Sequence, residues 1–244
     1  MPCNFGKVYK TSFMYQVKEI FYTLQGEGTH SGRAAVFMRF SGCNLWTGRE
    51  VDRSTAICQF CDTDFVGVDG ENGGKYTTAE ELALKAYQVA TGFKKEESET
   101  LEGLLIVLTG GEPLLQVDEP LIDALHEQGF EIAVETNGTI KAPSGLDWVC
   151  VSPKAGSDII QKSGNELKLV YGQEEISPEQ FEAWEFDHFY LQPMDISNVD
   201  TNEDDTSNVS RDDNERLTNE VIEYCKVHPK WKLSLQTHKI LNIA

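Results

Sequence analysis

Short runs of apolar residues alternate with amphipathic stretches along most of the chain. Residues 104–108 (LLIVL) form a continuous apolar run, which is typical of a strand buried on both faces, and Ala34–Phe40 (AAVFMRF) is a second predicted strand. The pattern predicts further strands at 131–134, 148–151, 167–171, 188–191 and 231–235. Helices are predicted to begin at Thr77 and to cover 120–128, 178–184 and 214–227. This alternation indicates βα units and a parallel sheet.

Polar motifs follow the predicted strands, each at the point where a strand ends. They occupy residues 39–43, 109–113, 135–138, 152–154, 192–193 and 236–239. In parallel α/β sheets the chemistry takes place at the carboxyl ends of the strands, so the motifs predict one shared site. About six βα units are present, too few for a closed eight-unit barrel. We therefore expect an α/β fold, an incomplete TIM-like barrel of about six parallel strands in a single domain over residues 1–244.

Composition and charge narrow the class of protein. Hydrophobic residues make up 40% of the 244-residue chain, which supports a packed core rather than disorder. The net charge of −19 argues against nonspecific binding to nucleic acid or to an anionic membrane. No apolar stretch reaches about 20 residues and no secretory signal is recognised, so a cytoplasmic protein without a membrane span is expected. The acidic segment 198–215, which has no aromatic residue, is predicted to be a solvated insertion.

The spacing of the cysteines indicates a metal or cluster site. Cys43, Cys58 and Cys61 fall within 19 residues, while the other three of the six cysteines are scattered. A structural zinc site normally takes four ligands, and His30 is available as the fourth. A 4Fe–4S cluster usually takes four cysteines, so three would leave one iron open to a ligand. The spacer 44–57 between the first two cysteines is predicted to be an inserted element beside the site.

Eight short motifs occur in order along the chain. They are LQGEG at 24–28, RFSGCN at 39–44, CDT at 61–63, TGGEP at 109–113, ETNGT at 135–139, VSPK at 151–154, LQP at 191–193 and QTHK at 236–239. Together with the three cysteines they resemble the radical S-adenosylmethionine (SAM) superfamily and, within it, the 7-carboxy-7-deazaguanine synthase family. The long spacer departs from the superfamily's commonest CxxxCxxC and is similar to the long-spacer members of this family.

The resemblance implies a trimmed radical SAM barrel that uses a 4Fe–4S cluster, SAM and Mg²⁺. The implied reaction is the ring contraction of 6-carboxy-5,6,7,8-tetrahydropterin to 7-carboxy-7-deazaguanine with loss of ammonia, a lyase step of queuosine biosynthesis. It starts with hydrogen abstraction from C6 of the pterin by a radical derived from SAM, because no side chain is a strong enough abstractor. The implied partners are a flavodoxin- or ferredoxin-like single-electron reductant and a second copy of the chain in a homodimer.

The resemblance also implies roles for individual residues, although no side chain is expected to act as a catalytic acid or base. The cluster would be bound by Cys43, Cys58 and Cys61. The residues that would contact SAM are Gly110, Gly111, Glu112, Glu135, Ser152 and Lys154. The residues that would contact the substrate are Gln25, Glu27, Arg39, Thr109, Gln192 and His238. Thr63 would bind Mg²⁺, with Asp62 and Asp64 as competing ligands.

The chemistry of these side chains suits the implied roles. Glycines at positions 110 and 111 permit close backbone approach to a ligand. Arg39, at the end of a strand, is suited to bidentate binding of a substrate carboxylate. The hydroxyl of Thr63 suits Mg²⁺, which is a hard ion that prefers oxygen ligands. Arg39, Lys154 and Mg²⁺ are expected to make the site locally positive, opposite in sign to the whole chain.

Two other functions remain open from the sequence. A radical SAM activase that forms a glycyl radical on another protein would share the cysteines and the GGE at 110–112, but would not require QGE at 25–27 or QTHK at 236–239. A zinc-stabilised binding module without catalysis would share the cysteines alone. Iron and zinc contents after anaerobic reconstitution distinguish the zinc module from both radical enzymes.

Overall fold

The computed structural model describes residues 14–92, 103–196 and 206–243. Within these ranges, nine strands are present: β1 Tyr15–Leu24, β2 Ala34–Phe40, β3 Gly74–Tyr76, β4 Leu104–Gly110, β5 Phe130–Thr136, β6 Trp148–Val151, β7 Ser163–Tyr171, β8 Glu185–Pro193 and β9 Trp231–Leu233. The α-helices are α1 Ala79–Thr91, α2 Glu119–Glu127, α3 Thr206–Val227 and α4 Thr237–Leu241. Short 3₁₀ helices occur at Glu50–Thr55, Pro113–Leu115 and Pro178–Phe181.

All of these strands join one sheet in the order β3-β1-β2-β4-β5-β6-β7-β8-β9. Neighbouring strands from β2 to β9 are parallel, whereas β1 pairs antiparallel with both β2 and β3. Over the described ranges the edge strands β3 and β9 do not pair, so the barrel is open. The expected incomplete barrel is confirmed, with seven parallel strands (β2 and β4 to β9) where the sequence indicated about six.

Capping explains where the first two helices begin. The hydroxyl of Thr78 accepts a hydrogen bond from Glu81 N at 3.1 Å at the start of α1. The carboxylate of Asp118 accepts one from Leu121 N, also at 3.1 Å, at the start of α2. Side-chain oxygens at this position satisfy backbone N–H groups that have no partner inside the helix. Both starts lie close to those predicted from the sequence.

Two apolar clusters hold the helices against the sheet. The larger one packs α1 and α2 on β1, β2, β4 and β5, and its members Leu82, Ile106 and Leu121 are fully buried. The smaller one surrounds Trp231 and packs α3 on β7 and β8. Each large side chain buried in this way contributes about 1.5–3 kcal/mol to stability. No helix in the described ranges is long and apolar enough to cross a membrane.

Helix α3 begins earlier than predicted. The expected start was residue 214, but the helix already covers 206–213, so part of the predicted insertion 198–215 is helical. Residues 198–205 of that insertion lie outside the described residues. The sequence of 206–213 (TSNVSRDD) contains a single apolar residue, so hydrophobic periodicity does not predict a helix there. Farther along α3, Arg216 pairs with Asp213 and Glu220, three and four positions away. The helix predicted at 178–184 is a short 3₁₀ turn.

Candidate active site

A cavity of about 440 Å³ opens at the carboxyl ends of the parallel strands. All of the residues predicted from the sequence line this cavity, with the exception of Glu112. The parallel register is the reason, because it aligns the ends of neighbouring strands: Arg39 on β2 lies opposite Thr109 on β4. Loops after β1, β2 and β6 and the end of the described chain complete the wall. The motifs that follow the strands therefore lie around a single cavity.

Three cysteine thiols line one part of this cavity. A hydrogen bond from Cys58 to Cys61 lowers the pKa of the Cys61 thiol to about 6 and raises that of Cys58. Burial raises the pKa of Cys43. Three thiols on one wall fit a 4Fe–4S cluster, in which each cysteine binds a different iron. Cys43, Cys58 and Cys61 would hold this cluster.

The same thiols do not form a single-ion site with His30. That histidine packs edge-on against Trp148, with ring centroids 4.4 Å apart, outside the cavity wall. Nowhere in the described ranges do three or more His, Cys, Asp or Glu side chains gather where they could hold one metal ion. The donor arrangement therefore does not fit the tetrahedral zinc site that the sequence left open.

Gly111 allows the loop after β4 to approach the first cysteine. A Cβ atom at this position would lie 2.3 Å from Gly42 O and 2.8 Å from the Cβ of Cys43. Such distances are too short for any side chain, so glycine is required for the two loops to meet. The approach observed at this glycine is to the loop of Gly42 and Cys43, and the predicted approach to a ligand stays a prediction.

A buried lysine joins two of the predicted carboxylates. Lys168 on β7 donates hydrogen bonds to Oε2 of Glu27 and Oε2 of Glu135, each at 2.6 Å. Gln25 Nε2 donates to the other oxygen of Glu135 at 2.9 Å. Only 3% of Lys168 is exposed, so solvent screens these ion pairs little. The result is a continuous network from the loop after β1 through β5 to β7.

The contacts within this network fix its charges. Burial by itself would raise the pKa of Glu27, but the charge of Lys168 and its hydrogen bond outweigh burial and hold the pKa well below the usual range. Burial likewise opposes the charged form of Lys168, but Glu135 and Glu27 raise its pKa well above the usual range. Both Glu27 and Lys168 are therefore charged at neutral pH.

The C-terminal part of the described chain packs onto the loop after β1. Gln192 Nε2 and Gln236 Nε2 both donate to Oε1 of Glu27, at 3.1 and 3.0 Å. A Cβ atom on Gly26 would lie 2.3 Å from Nδ1 of His238, so glycine is required here for the ring to approach. Residues from opposite ends of the sequence thereby share one wall of the cavity.

Ser152 and Lys154 form a second polar contact, close to the cysteines. Lys154 Nζ donates to the backbone oxygen of Ser152 at 2.7 Å and to its Oγ at 2.6 Å. Burial lowers the pKa of Lys154, while the thiols of Cys58 and Cys61 act in the opposite direction. The ammonium group of Lys154 therefore lies near the thiols, where an anionic ligand group would balance its charge.

Arg39 is oriented at the edge of the cavity by an ion pair. Its Nε donates to Oε1 of Glu19 at 2.8 Å, across the antiparallel β1–β2 pair. This contact uses one of the five N–H groups of the guanidinium. The four N–H groups on its two terminal nitrogens can bind both oxygens of a carboxylate ligand. Arg39 thus takes part in a structural ion pair and also lies on the cavity wall.

Thr63 lies between two carboxylates that already have cationic partners. Asp62 pairs with Lys239 at 2.6 Å, and Asp64 pairs with Lys18 at 2.9 Å. These five residues all line the cavity. A divalent cation would compete with a lysine for either carboxylate, whereas the hydroxyl of Thr63 is a neutral oxygen ligand.

Glu112 is placed differently from the other predicted residues. It is fully buried, and its oxygens accept hydrogen bonds from Leu114 N at 2.9 Å, Thr136 Oγ1 at 2.8 Å and Asn137 N at 2.8 Å. Burial raises its pKa, although these hydrogen bonds oppose the shift. This placement does not support the predicted contact with the SAM amine. Glu112 instead ties the loop after β4 to the loop after β5.

The Glu112→Gln variant is expected to lower the free energy of unfolding by about 1–3 kcal/mol, because an amide nitrogen would then face a buried N–H or O–H donor. Urea denaturation followed by circular dichroism measures this change. The matched control is Glu127→Gln on the exposed side of α2, which should change stability by less than about 0.5 kcal/mol. An unchanged urea midpoint for Glu112→Gln would contradict the structural role.

The expected positive charge of the site is not found in its side chains. The basic residues on the wall are Lys18, Arg39, Lys154, Lys168 and Lys239, and the acidic ones are Glu19, Glu27, Asp62, Asp64, Glu135 and Asp195. Five positive and six negative groups leave the wall nearly neutral, compared with −19 for the chain. The side chains by themselves therefore do not make the site positive, because the lysines have acidic partners, and the expected contribution of Mg²⁺ stays a prediction.

Sequence reasoning missed Lys168 as a site residue. In β7, Leu167 and Leu169 pack into the smaller apolar cluster, while Glu166 and Lys168 alternate with them and are also buried. Residues on a barrel strand point alternately to the inside of the barrel and to the surrounding helices. Charged residues that alternate with leucines therefore indicate a polar barrel interior, with the leucines packed against the helices. This alternation at 166–169 was the available signal.

Comparison with known proteins identifies the family. A 7-carboxy-7-deazaguanine synthase from Caulobacter vibrioides is 56% identical over 229 residues, which cover 94% of this chain and 99% of that protein. One from Burkholderia multivorans is 50% identical with the same coverage. This chain belongs to the 7-carboxy-7-deazaguanine synthase family. The crystal structure of QueE from Escherichia coli is similar, with a TM-score of 0.62, 25% identity and coverage of 91% of this chain and 94% of that one. No protein-family model matches.

Membership of the 7-carboxy-7-deazaguanine synthase family confirms the resemblance drawn from the eight motifs. It makes the chain a radical SAM enzyme that uses a 4Fe–4S cluster and SAM. The glycyl-radical activase and the zinc-stabilised module are thereby excluded as its main function. The open, mostly parallel sheet agrees with the fold of the QueE structure.

Proposed function

We propose that the chain converts 6-carboxy-5,6,7,8-tetrahydropterin to 7-carboxy-7-deazaguanine with loss of ammonia, as a lyase of queuosine biosynthesis. The observation that carries this proposal is the composition of the cavity at the carboxyl ends of the strands. Three thiols occupy one part of its wall, and the carboxylate–amide network around Lys168 occupies another. A cofactor that abstracts hydrogen and a substrate rich in hydrogen-bonding edges would therefore lie side by side.

The cluster and SAM supply the radical that abstracts hydrogen, and the chain binds, orients and shields them. We propose that Cys43, Cys58 and Cys61 hold the cluster. The loop of Gly110 and Gly111 would lie against SAM, with further contacts from Glu135, Ser152 and Lys154. The position of Lys154 near the thiols suits the SAM carboxylate, because that group would balance a lysine whose burial disfavours its charge.

Glu27 would bind a donor group of the pterin. A carboxylate oxygen has room for about two hydrogen bonds, and Oε2 of Glu27 accepts one, from Lys168 Nζ. An amino or ring N–H group of the pterin fits the remaining position. Arg39 would bind the substrate carboxylate with its remaining donors, because its Nε is held by Glu19. Further contacts are assigned to Gln25, Thr109, Gln192 and His238.

A turnover assay tests this function directly. The anaerobically reconstituted chain is incubated with SAM, dithionite and 6-carboxytetrahydropterin, and the deazaguanine product, ammonia and deoxyadenosine are quantified. We expect more than one product molecule for each SAM cleaved, because SAM is regenerated. Deoxyadenosine without a deazaguanine product would show that the radical chemistry is correct and the substrate is wrong.

We further propose that Thr63 Oγ1 would help to hold Mg²⁺, which would stabilise the negative charge of the substrate carboxylate. Mg²⁺ takes few protein ligands and keeps several waters, so one hydroxyl is sufficient. The ion pairs of Asp62 and Asp64 with lysines support the hydroxyl over either carboxylate.

The Thr63→Val variant is expected to need about tenfold more Mg²⁺ for half-maximal turnover, which corresponds to about 1.4 kcal/mol. Titration of activity with Mg²⁺ measures this change, and Thr63→Ser should behave like the parent because it keeps the hydroxyl. An unchanged Mg²⁺ requirement in Thr63→Val, combined with a raised one in Asp62→Asn or Asp64→Asn, would assign the ion to a carboxylate instead.

The remaining proposals concern partners and location. We propose a homodimer, a flavodoxin- or ferredoxin-like electron donor, and a cytoplasmic location. Exposed apolar side chains support a protein contact at the end of the described chain, where Ile240 is 70% and Leu241 61% exposed. The three cysteines must stay reduced to bind iron, and the cytoplasm keeps thiols reduced, which supports the proposed location. Sedimentation analysis checks the dimer, and turnover with flavodoxin or ferredoxin in place of dithionite checks the reductant.

A further inference from the structure

The spacer 44–57 between the first two cysteines folds as a closed element. Its two ends meet because Ile57 N and Cys58 N both donate to the backbone oxygen of Leu45, at 3.1 and 3.4 Å. Leu45 and Trp46 are buried at its base, while the 3₁₀ helix Glu50–Thr55 has no buried residue. The spacer therefore places a small polar helix on the outer side of the cysteine loop.

One side chain of this helix reaches back to the cysteines. Arg53 Nη1 donates to the backbone oxygens of Gln59 and Cys61, at 2.8 and 3.0 Å. These two oxygens belong to the turn that carries Cys58 and Cys61. The guanidinium group therefore fixes the backbone of that turn from the side of the spacer.

Arg53 is itself held in place by three contacts. Its Nε donates to both oxygens of Glu50, at 2.7 and 2.8 Å, and its Cζ lies 4.2 Å from the ring centroid of Trp46. Trp46 packs edge-on against Phe65, with ring centroids 5.6 Å apart. A guanidinium oriented by a carboxylate and an aromatic face loses little freedom when it forms further hydrogen bonds.

We propose that Arg53 is a positioning residue for the iron–sulfur cluster: it clamps the turn of Cys58 and Cys61 and places a fixed positive charge beside the cluster. The clamp fixes the spacing of two sulfurs that must bind two different irons. The positive charge favours the reduced, more negative state of the cluster, because outer groups and nearby charge adjust the reduction potential of such centres. The spacer is then a device for holding the cluster rather than an inert insertion.

Two variants separate the clamp from the charge. Arg53→Ala removes both, so it is expected to release iron to a chelator about tenfold faster than the parent and to shift the midpoint potential of the cluster to more negative values. Arg53→Lys keeps the charge but lacks the planar fork, so it should release iron faster than the parent while its midpoint potential stays close to that of the parent. Iron release is followed by visible absorption, and the potential by redox titration.

The control is Arg49→Ala on the same spacer. Arg49 is exposed and its side chain pairs with Asp52, without a contact to the cysteine turn. This variant should match the parent in both measurements. Circular dichroism of every variant verifies that the barrel is folded, and Arg53→Lys tests the clamp even if Arg53→Ala does not fold.

The inference rests on the cluster assigned to the three cysteines, and the experiment keeps the two apart. A parent chain that binds no iron after reconstitution would overturn the cluster assignment and this inference with it. A parent with about four irons per chain, together with an Arg53→Ala variant that has the parent's iron release and midpoint potential, would overturn only the role of Arg53.

Discussion

The Cys58→Ala variant is expected to keep its fold, to retain no stable 4Fe–4S cluster and to form no detectable product. The reason is that, among the residues described by the structure, three thiols line the site, so the loss of one leaves a second iron without a protein ligand. The cluster is the source of the electron for the radical step, and no side chain can replace it. Iron analysis, visible absorption and the turnover assay measure the effect after identical anaerobic reconstitution.

Cys225→Ala is the matched control for this experiment. Cys225 lies on α3 and packs against the smaller apolar cluster, away from the cavity. Its loss removes a thiol from the chain but none from the site, so the variant should keep about four irons and the parent's turnover. A Cys58→Ala variant that still holds a full cluster would show that these three cysteines are not its complete ligand set.

The Lys168→Met variant is expected to lower the free energy of unfolding by about 3–5 kcal/mol at neutral pH and kcat/KM by about 100-fold. Methionine fills a similar volume, but it leaves Glu27 and Glu135 buried without their shared cation. The loss of activity follows because both carboxylates are proposed to contact ligands from positions that Lys168 fixes. Urea denaturation and steady-state kinetics measure the two effects.

The pH dependence gives a second signature of this variant. In the parent, the pKa of Glu27 lies below its unfolded value, so its stabilising contribution is present above about pH 4.3 and is lost as the pH falls through the folded pKa. Without Lys168, burial raises the pKa of Glu27 instead. The stability difference between parent and variant should therefore be largest at neutral pH and shrink towards pH 4. The acid limb of kcat/KM should also move to higher pH.

Groups other than Lys168 also face Glu27, and they limit the shift. Gln192 and Gln236 still donate to its Oε1, and His238 contributes further positive charge when protonated. The control is Lys162→Met, which removes an exposed lysine just before β7. It should leave stability, kcat/KM and the pH profile close to those of the parent. A Lys168→Met variant with the same behaviour would contradict the proposed network.

The local elements could be predicted well because their signals are local. Strand β2 has the predicted bounds, and the starts of α1 and α2 follow from capping residues that the sequence displays. The start of α3 could not be predicted in this way, since the sequence of its first turns, TSNVSRDD at 206–213, contains a single apolar residue and therefore no apolar stripe. The antiparallel strand β3 was missed because it is only three residues long.

The sequence by itself determined the family, the order of most elements and a set of site residues of which all but Glu112 lie on the cavity wall, because each motif follows a strand and parallel strands end together. Only the tertiary structure decided how these side chains pair. It showed that Lys168 joins Glu27 to Glu135 and that Arg53 contacts the turn of Cys58 and Cys61. It also showed that the carboxylate of Glu112 is buried and accepts hydrogen bonds from Thr136 and Asn137. Such pairings depend on burial and distance between residues far apart in the chain, and no local pattern encodes either quantity.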